Sequence, residues 1–234
     1  MKKKPMVLIT GANSGLGRKL ANKIIDYKTD LCLIARRKQL LEEVKEELLN
    51  KDPTLNVYVF DGTISNEQFV KDIFIFLEKN HYYPQYVINC AGVGEFGSAE
   101  ISNKEMIDRV LEANLIGLIL MCSNALQHMK SHESFLINIM STAALRGKAN
   151  ETVYCAAKWG ARGYTEALKK EVENSRVHVI GVYPGGMNTN FWEKNCNNKI
   201  RTSNFIDPTI IAQEIIDKIF NNSEYADLIF ERAK

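Results

Sequence analysis

Tyr154 and Lys158 bracket the stretch YCAAK, and four places apart on a helix they share one face, which brings a phenol within reach of an ammonium. The chemistry this offers is proton transfer. A free phenol titrates near pH ~10, roughly three units too high for a base at neutral pH, so a neighbouring cation must hold its anionic form. A Tyr-x-x-x-Lys pair arises about once by chance in a chain this rich in both residues, so its context must give it meaning. Ser141 supplies a further hydroxyl, able to donate to a substrate oxygen and hold it beside the phenol.

The elements that must position these groups are legible as apolar runs. MVLIT, LCLIA, LNVYVF, YVIN, SFLINIM, VHVIGVY and ADLIF lack the polar alternation of a half-exposed sheet and read as buried strands. Helices are predicted between and after them, over 15–27, 37–50, 66–79, 104–130, 152–174 and 209–220. The last is opened by Asp207 as N-cap and Pro208 at the first helical position. Alternation with crossovers this long predicts an α/β protein, a parallel sheet with helices on both faces, as one domain over residues 1–234.

Composition narrows the function classes. With 45% hydrophobic and 25% charged residues the chain reads as an ordinary soluble protein, and a formal charge of +2 gives no reason to expect nucleic acid or an anionic membrane as partner. The apolar run Met6 to Ile9 after Lys2, Lys3 and Lys4 is too brief for a signal peptide, and Leu115 to Cys122 falls short of a membrane span, so a cytoplasmic location is expected. The cysteines at 32, 90, 122, 155 and 196 show no CxxC spacing and read as reduced, buried thiols.

In a parallel sheet of this kind ligands bind outside the carboxyl ends of the strands. The first strand ends in TGANSGLG, where Gly11, Gly15 and Gly17 permit a tight turn, and the backbone through Asn13, Ser14 and Leu16 can approach a pyrophosphate at a helix N-terminus. After the second come Arg36, Arg37 and Lys38, where an acidic residue would suit an unphosphorylated ribose. Paired guanidinium groups suit a 2′-phosphate instead, so NADP(H) is the expected cofactor and NAD(H) the alternative. The other strands end in Asp61-Gly62, NCAG (Asn89 to Gly92), Ser141 and YPGGMNT (Tyr183 to Thr189).

Taken in order, TGANSGLG, NCAG, Asn114, Ser141, YCAAK and PGGMNT resemble the compact, single-domain branch of the short-chain dehydrogenase/reductase family, over roughly residues 6 to 191. Cys90 departs from the asparagine common in the family, and Met140 precedes the serine. The resemblance implies a Rossmann-type, doubly wound, mostly parallel seven-stranded sheet. It also implies hydride transfer between a nicotinamide and a carbinol carbon, with Tyr154 as acid/base. By the same resemblance Lys158 also bonds the nicotinamide ribose, Asn114 holds a water linking Lys158 to solvent, and Asp61 with Gly62 meets the adenine. Asn89, Ala91 and Gly92 line the adenosine ribose. Pro184, Gly185, Met187 and Thr189 pass the carboxamide and pyrophosphate. Singly, each has a plainer explanation: Ser141 as a strand-end cap, Asn114 as a helix-backbone bond, Asp61 as a turn former, PGG as a turn.

The function expected is an NADP-dependent oxidoreductase interconverting a carbonyl and a secondary alcohol of a small molecule, without a metal. The alternative is a catalytically silent protein that senses NADP(H). Phe191, Trp192 and Phe205 fall in a substrate-covering segment at about 190–207, with Phe96, Met187, Leu145 and Arg146 as further candidates. His128 and His132 stand i, i+4, but no third metal ligand is evident and they are expected at the surface. Helix 104–130 is apolar on too many sides for one sheet contact. That suggests a subunit interface, or complete burial, and the family commonly forms homodimers or homotetramers through it and the Tyr154 helix.

Overall fold

The computed structural model describes residues 3–192, 202, 204–221 and 225–231. Seven strands form one sheet in the order β3-β2-β1-β4-β5-β6-β7, and every pairing is parallel. They are β1 (Lys4–Thr10), β2 (Asp30–Ala35), β3 (Val57–Asp61), β4 (Tyr82–Asn89), β5 (Ser134–Ile139), β6 (Val177–Pro184) and β7 (Leu228–Phe230). The helices are α1 (Gly15–Ile24), α2 (Lys38–Lys51), α3 (Glu67–Lys79), α4 (Lys104–Leu111), α5 (Gly117–Met129), α6 (Thr152–Val172) and α7 (Pro208–Asn221). The architecture is the Rossmann-type sheet expected, wholly rather than mostly parallel.

Pleating sends alternate residues to opposite layers. Val7 and Ile9 of β1 pack toward α1, α2 and α7 through Leu20, Leu41 and Ile215. Met6 and Leu8 pack toward the layer of α3, α5 and α6, through Ile73, Met121 and Leu168. Helices on both faces explain the unbroken apolar strands.

Three boundaries differ from expectation for identifiable reasons. β4 begins at Tyr82, ahead of YVIN, because a register shift between Met6 and Val7 places Gln85 out of pairing next to Pro84, which has no amide to give the ladder. The apolar stretch 104–130 is not one regular helix: a π-helical segment, Glu112–Ile116, separates α4 from α5. The first helix gives way to a 3-10 turn over Ile25–Tyr27. The Asp207-Pro208 start holds, with Asp207 Oδ1 accepting from the Thr209 amide at 2.7 Å.

His128 and His132 are not the surface residues expected. Each is partly buried and stacked on an aromatic ring, Phe74 at 5.4 Å and Tyr83 at 3.9 Å between centroids. Among the described residues no group of three potential metal ligands forms, and Cys32, Cys90, Cys122 and Cys155 are free thiols. Cys196 lies outside the described residues.

Candidate active site

Strand order reverses between β1 and β4, and a cavity of about 570 Å³ opens there at the carboxyl ends of the strands. Its floor is the glycine turn. Gly11 adopts φ +70°, and a Cβ there would lie 2.9 Å from the Ala91 Cα; one on Gly17 would lie 2.4 Å from the Gly11 carbonyl oxygen. Glycine is therefore required at both positions by backbone approaching backbone. α1 starts at this turn without a side-chain cap on Ser14 and without an acidic residue in its first turn, so its amides and its positive end face the cavity. Arg37 reaches across from β2 and donates to Ser14 Oγ at 3.3 Å, and Arg36 lines the same wall.

Of the cofactor candidates, Gly11, Asn13, Ser14, Gly15 and Gly17 line this cavity, as do Arg36, Arg37, Gly62, Ala91, Gly92 and Thr189. Others lie elsewhere. Leu16 packs into the core, Asp61 is exposed at the end of β3 while Gly62, Thr63 and Ile64 form the wall, and Pro184, Gly185 and Met187 are not among the residues that line the cavity, Met187 packing on the core instead. Asn89 is placed differently from the expectation: it is buried in the sheet, where its amide donates to Asn138 Oδ1 at 2.9 Å, and its neighbours Cys90, Ala91 and Gly92 face the cleft. Thr10 fixes those neighbours, its Oγ1 accepting from the Cys90 and Ala91 amides at 3.0 Å each. Residues not anticipated also reach the wall, among them Arg18, which pairs with Glu47, and Arg109, which pairs with Glu95.

Asn114, Ser141, Tyr154 and Lys158 converge just beyond the inner end of the cavity, behind Gly92. A Cβ on Gly92 would clash with Asn114 Oδ1 at 2.7 Å and would touch Lys158 Nζ at 3.6 Å, so a side chain here would displace Asn114. Asn114 sits in the π-helical segment, and its amide donates to the Val93 and Val110 carbonyls at 2.7 and 2.9 Å. Those bonds fix which way the side chain points, and they leave its buried Oδ1 without a protein partner. Ser141 follows β5 and caps a 3-10 turn, its Oγ accepting from the Ala143 amide at 3.1 Å. Its hydroxyl also draws the Tyr154 phenol's pKa downward, so the cap and a place beside the phenol coexist.

The electrostatics depart from the expected pairing. Burial pushes the Tyr154 phenol well above its ordinary value, opposed by the Ser141 hydrogen bond and reinforced by Glu151 and Cys155. Lys158 Nζ lies 5.8 Å from the tyrosine ring centroid and donates to the Ile139 carbonyl at 3.2 Å. Burial pulls this ammonium down to about 8, with Cys90 opposing. In this arrangement burial outweighs the cation, because both groups have lost water and the ammonium donates to a backbone carbonyl.

Phe96, from the β4–α4 connection, packs edge-on against Tyr154 at 5.5 Å, and Phe191 packs against the same ring at 6.1 Å. Trp192 stacks on Phe96 at 5.2 Å and is anchored by its indole N–H to the Met187 carbonyl at 2.9 Å. Phe205 meets Trp192 edge-on. Residues 193–201 and 203 of the expected covering segment lie outside the described residues.

Comparison with known proteins places this geometry. The chain is 27% identical over 215 residues to carbonyl reductase family member 4 of Danio rerio, spanning 90% of this chain and 89% of that one. A short-chain dehydrogenase/reductase from Vibrio parahaemolyticus superposes with a TM-score of 0.83 at 30% identity, over 97% of both chains. The fold is shared as well with an alcohol dehydrogenase from the archaeon Thermococcus sibiricus complexed with 5-hydroxy-NADP, with a TM-score of 0.87 at 21% identity over the whole of both chains. The short chain dehydrogenase family profile matches residues 5–199, and with the nucleotide cleft and the Ser141, Tyr154 and Lys158 cluster at its inner end, the chain belongs to the short-chain dehydrogenase/reductase family of NAD(P)-dependent oxidoreductases.

Proposed function

We propose that the protein is an NADP(H)-dependent oxidoreductase that interconverts a carbonyl and a secondary alcohol, with Tyr154 as general acid/base. The observation that carries this is the meeting of the Tyr154 phenol, the Ser141 hydroxyl and the Lys158 ammonium behind Gly92, where the nucleotide cleft ends. When bound, the nicotinamide supplies or accepts the hydride at the carbon. The chain handles the oxygen. Ser141 Oγ donates to the carbonyl oxygen and orients it, and the Tyr154 O–H gives that oxygen its proton. A phenol held above its ordinary pKa is fully protonated at neutral pH, which suits the role of acid in the reducing direction. Lys158 supplies the positive charge that favours proton loss once the phenol donates, and Asn114 Oδ1 offers an acceptor for a water leading from Lys158 to solvent.

NADP(H) is favoured over NAD(H) because Arg36 and Arg37 stand on the cleft wall at the end of β2, with Arg37 already on Ser14. Arg36→Asp is expected to raise the Kd for NADPH by about 10- to 100-fold and that for NADH by less than about threefold, read by fluorescence titration. Equal losses for both would remove the arginine from 2′-phosphate recognition.

The silent sensor is the second reading, and a screen of carbonyl compounds followed by NADPH absorbance separates the two: turnover supports the enzyme, whereas tight NADPH binding without turnover of any class supports the sensor. We also infer self-association through the π-helical segment with α5 and through α6, where Ile116 and Trp159 remain 43% and 48% exposed. Wild-type protein should sediment as a dimer or larger and Trp159→Glu as a monomer; a monomeric wild type would overturn this.

A further inference from the structure

Four polar side chains meet inside the apolar layer between the sheet and helices α5 and α6. Asn138 is wholly buried on β5, on the strand face that also carries Leu136 and Met140. Its Nδ2 donates to Thr165 Oγ1 on α6 at 3.0 Å, and its Oδ1 accepts from the Asn89 amide on β4 at 2.9 Å and from the Cys122 thiol on α5 at 3.5 Å. Thr165 donates its own proton to the Ala161 carbonyl at 2.7 Å, so its oxygen is held as the acceptor that Asn138 needs. None of the four is more than 2% exposed. The arrangement carries a cost in stability, since Asn89 Oδ1 is buried without a partner among the described residues.

We propose that Asn138 and Thr165 are positioning residues for the reductase chemistry read above, setting the register of α6 on β5 so that Tyr154 and Lys158 meet the end of that strand. Positions 154, 158, 161 and 165 recur at helical spacing, so Thr165 lies on the stripe of α6 that carries the phenol and the ammonium. Along β5 that stripe is met in order: Asn138 by Thr165, the Ile139 carbonyl by Lys158 at 3.2 Å, and then Ser141 beside Tyr154. Apolar packing is non-directional and tolerates a small slide of the helix, whereas a hydrogen bond is lost by it. The other two partners bring in β4, which continues into Cys90, Ala91 and Gly92 of the cleft wall, and α5, which follows Asn114. One buried amide thus joins every element that delivers a group to the site. An apolar side chain of similar shape would fill the space without the polar cost, which leaves register as what the amide supplies.

Thr165→Val keeps the shape and removes the acceptor, and Thr165→Ser keeps the hydroxyl. With a carbonyl substrate and NADPH, Thr165→Val is expected to lower kcat by about 10- to 100-fold while KM and the Kd for NADPH stay within about twofold, and Thr165→Ser to remain within about threefold of wild type. Leu168→Ala is the control, because it empties core on the same face of α6 and touches none of these bonds; its kcat should stay within about twofold even though it unfolds more readily. A crystal structure of Thr165→Val should show Lys158 Nζ out of contact with the Ile139 carbonyl. Equal losses of kcat in Thr165→Val and Leu168→Ala would reduce the network to ordinary stability and overturn the positioning role. So would wild-type kcat in Thr165→Val, or an unmoved Lys158, and each of these leaves the reductase reading standing. NADPH binding with no turnover of any carbonyl by the wild type would overturn both.

Discussion

Tyr154→Phe should lower kcat by about 10³-fold on an identified carbonyl substrate while the Kd for NADPH stays within about twofold. The substitution removes one oxygen. Its ring contacts with Phe96 and Phe191 survive, so the aromatic cluster keeps its place. Ser141 Oγ retains the Ala143 amide, which limits the cost in stability to about 1 kcal/mol. What disappears is the proton donor, and no other described group is poised to replace it, since Lys158 Nζ is committed to the Ile139 carbonyl. Stopped-flow measurement of NADPH oxidation alongside equilibrium binding separates the two quantities. Turnover close to wild type would remove Tyr154 from the chemistry and transfer the role to another group in the cleft.

Lys158→Met is expected to do two opposite things. Turnover should fall by about 10²- to 10³-fold, because nothing then favours the phenolate during proton loss. Stability at pH 7 should rise. Lys158 is 4% exposed, and burial holds its ammonium at about 8 against an unfolded value of 10.5, so the folded state binds its proton more weakly than the unfolded one. Between about pH 8 and pH 10.5 the unfolded chain carries more protons at this site, and wild-type stability from this group rises with pH across that window. Below about pH 8 the penalty is present in full, on the order of 3 kcal/mol, offset in the variant by about 1 kcal/mol for leaving the Ile139 carbonyl without its donor. Urea unfolding at pH 7 and pH 9.5 should therefore find the variant more stable at the lower pH, with the difference shrinking at the higher. A variant less stable at both, with an unchanged pH slope, would mean that the buried ammonium is well compensated.

The chemistry was written largely in local signals. A glycine turn after an apolar strand, arginines after the next, and a tyrosine and lysine one helical turn apart are all set by the chain's immediate neighbourhood, and the strand order follows from long right-handed crossovers. Asn89 shows a signal available but unused. Along β4, Tyr86 and Ile88 face one core and Val87 the other, so the next residue in alternation points with Val87 toward α5 and α6, into the protein rather than the cleft. There Asn138 receives it and donates in turn to Thr165 Oγ1 at 3.0 Å, tying β4 and β5 to the helix that carries Tyr154 and Lys158. Other features had no local trace. Burial of Lys158 against a backbone carbonyl, and closure of Phe96 over a tyrosine far along the chain, depend on how separate connections meet. The π-helical winding at Asn114 leaves the apolar pattern of 104–130 almost untouched, so that pattern alone spells one continuous helix.

That widened turn makes chain length itself a functional quantity. Deleting a single residue within Glu112–Ile116 would let the segment relax into ordinary α winding, and everything on its amino-terminal side would swing by about 100° around the axis. Arg109 would leave the cleft wall and Asn114 would lose the carbonyls that aim it, although no chemically important side chain had been altered. Substitution scanning would score this stretch as permissive at several positions, and only a change in residue number would expose what it does.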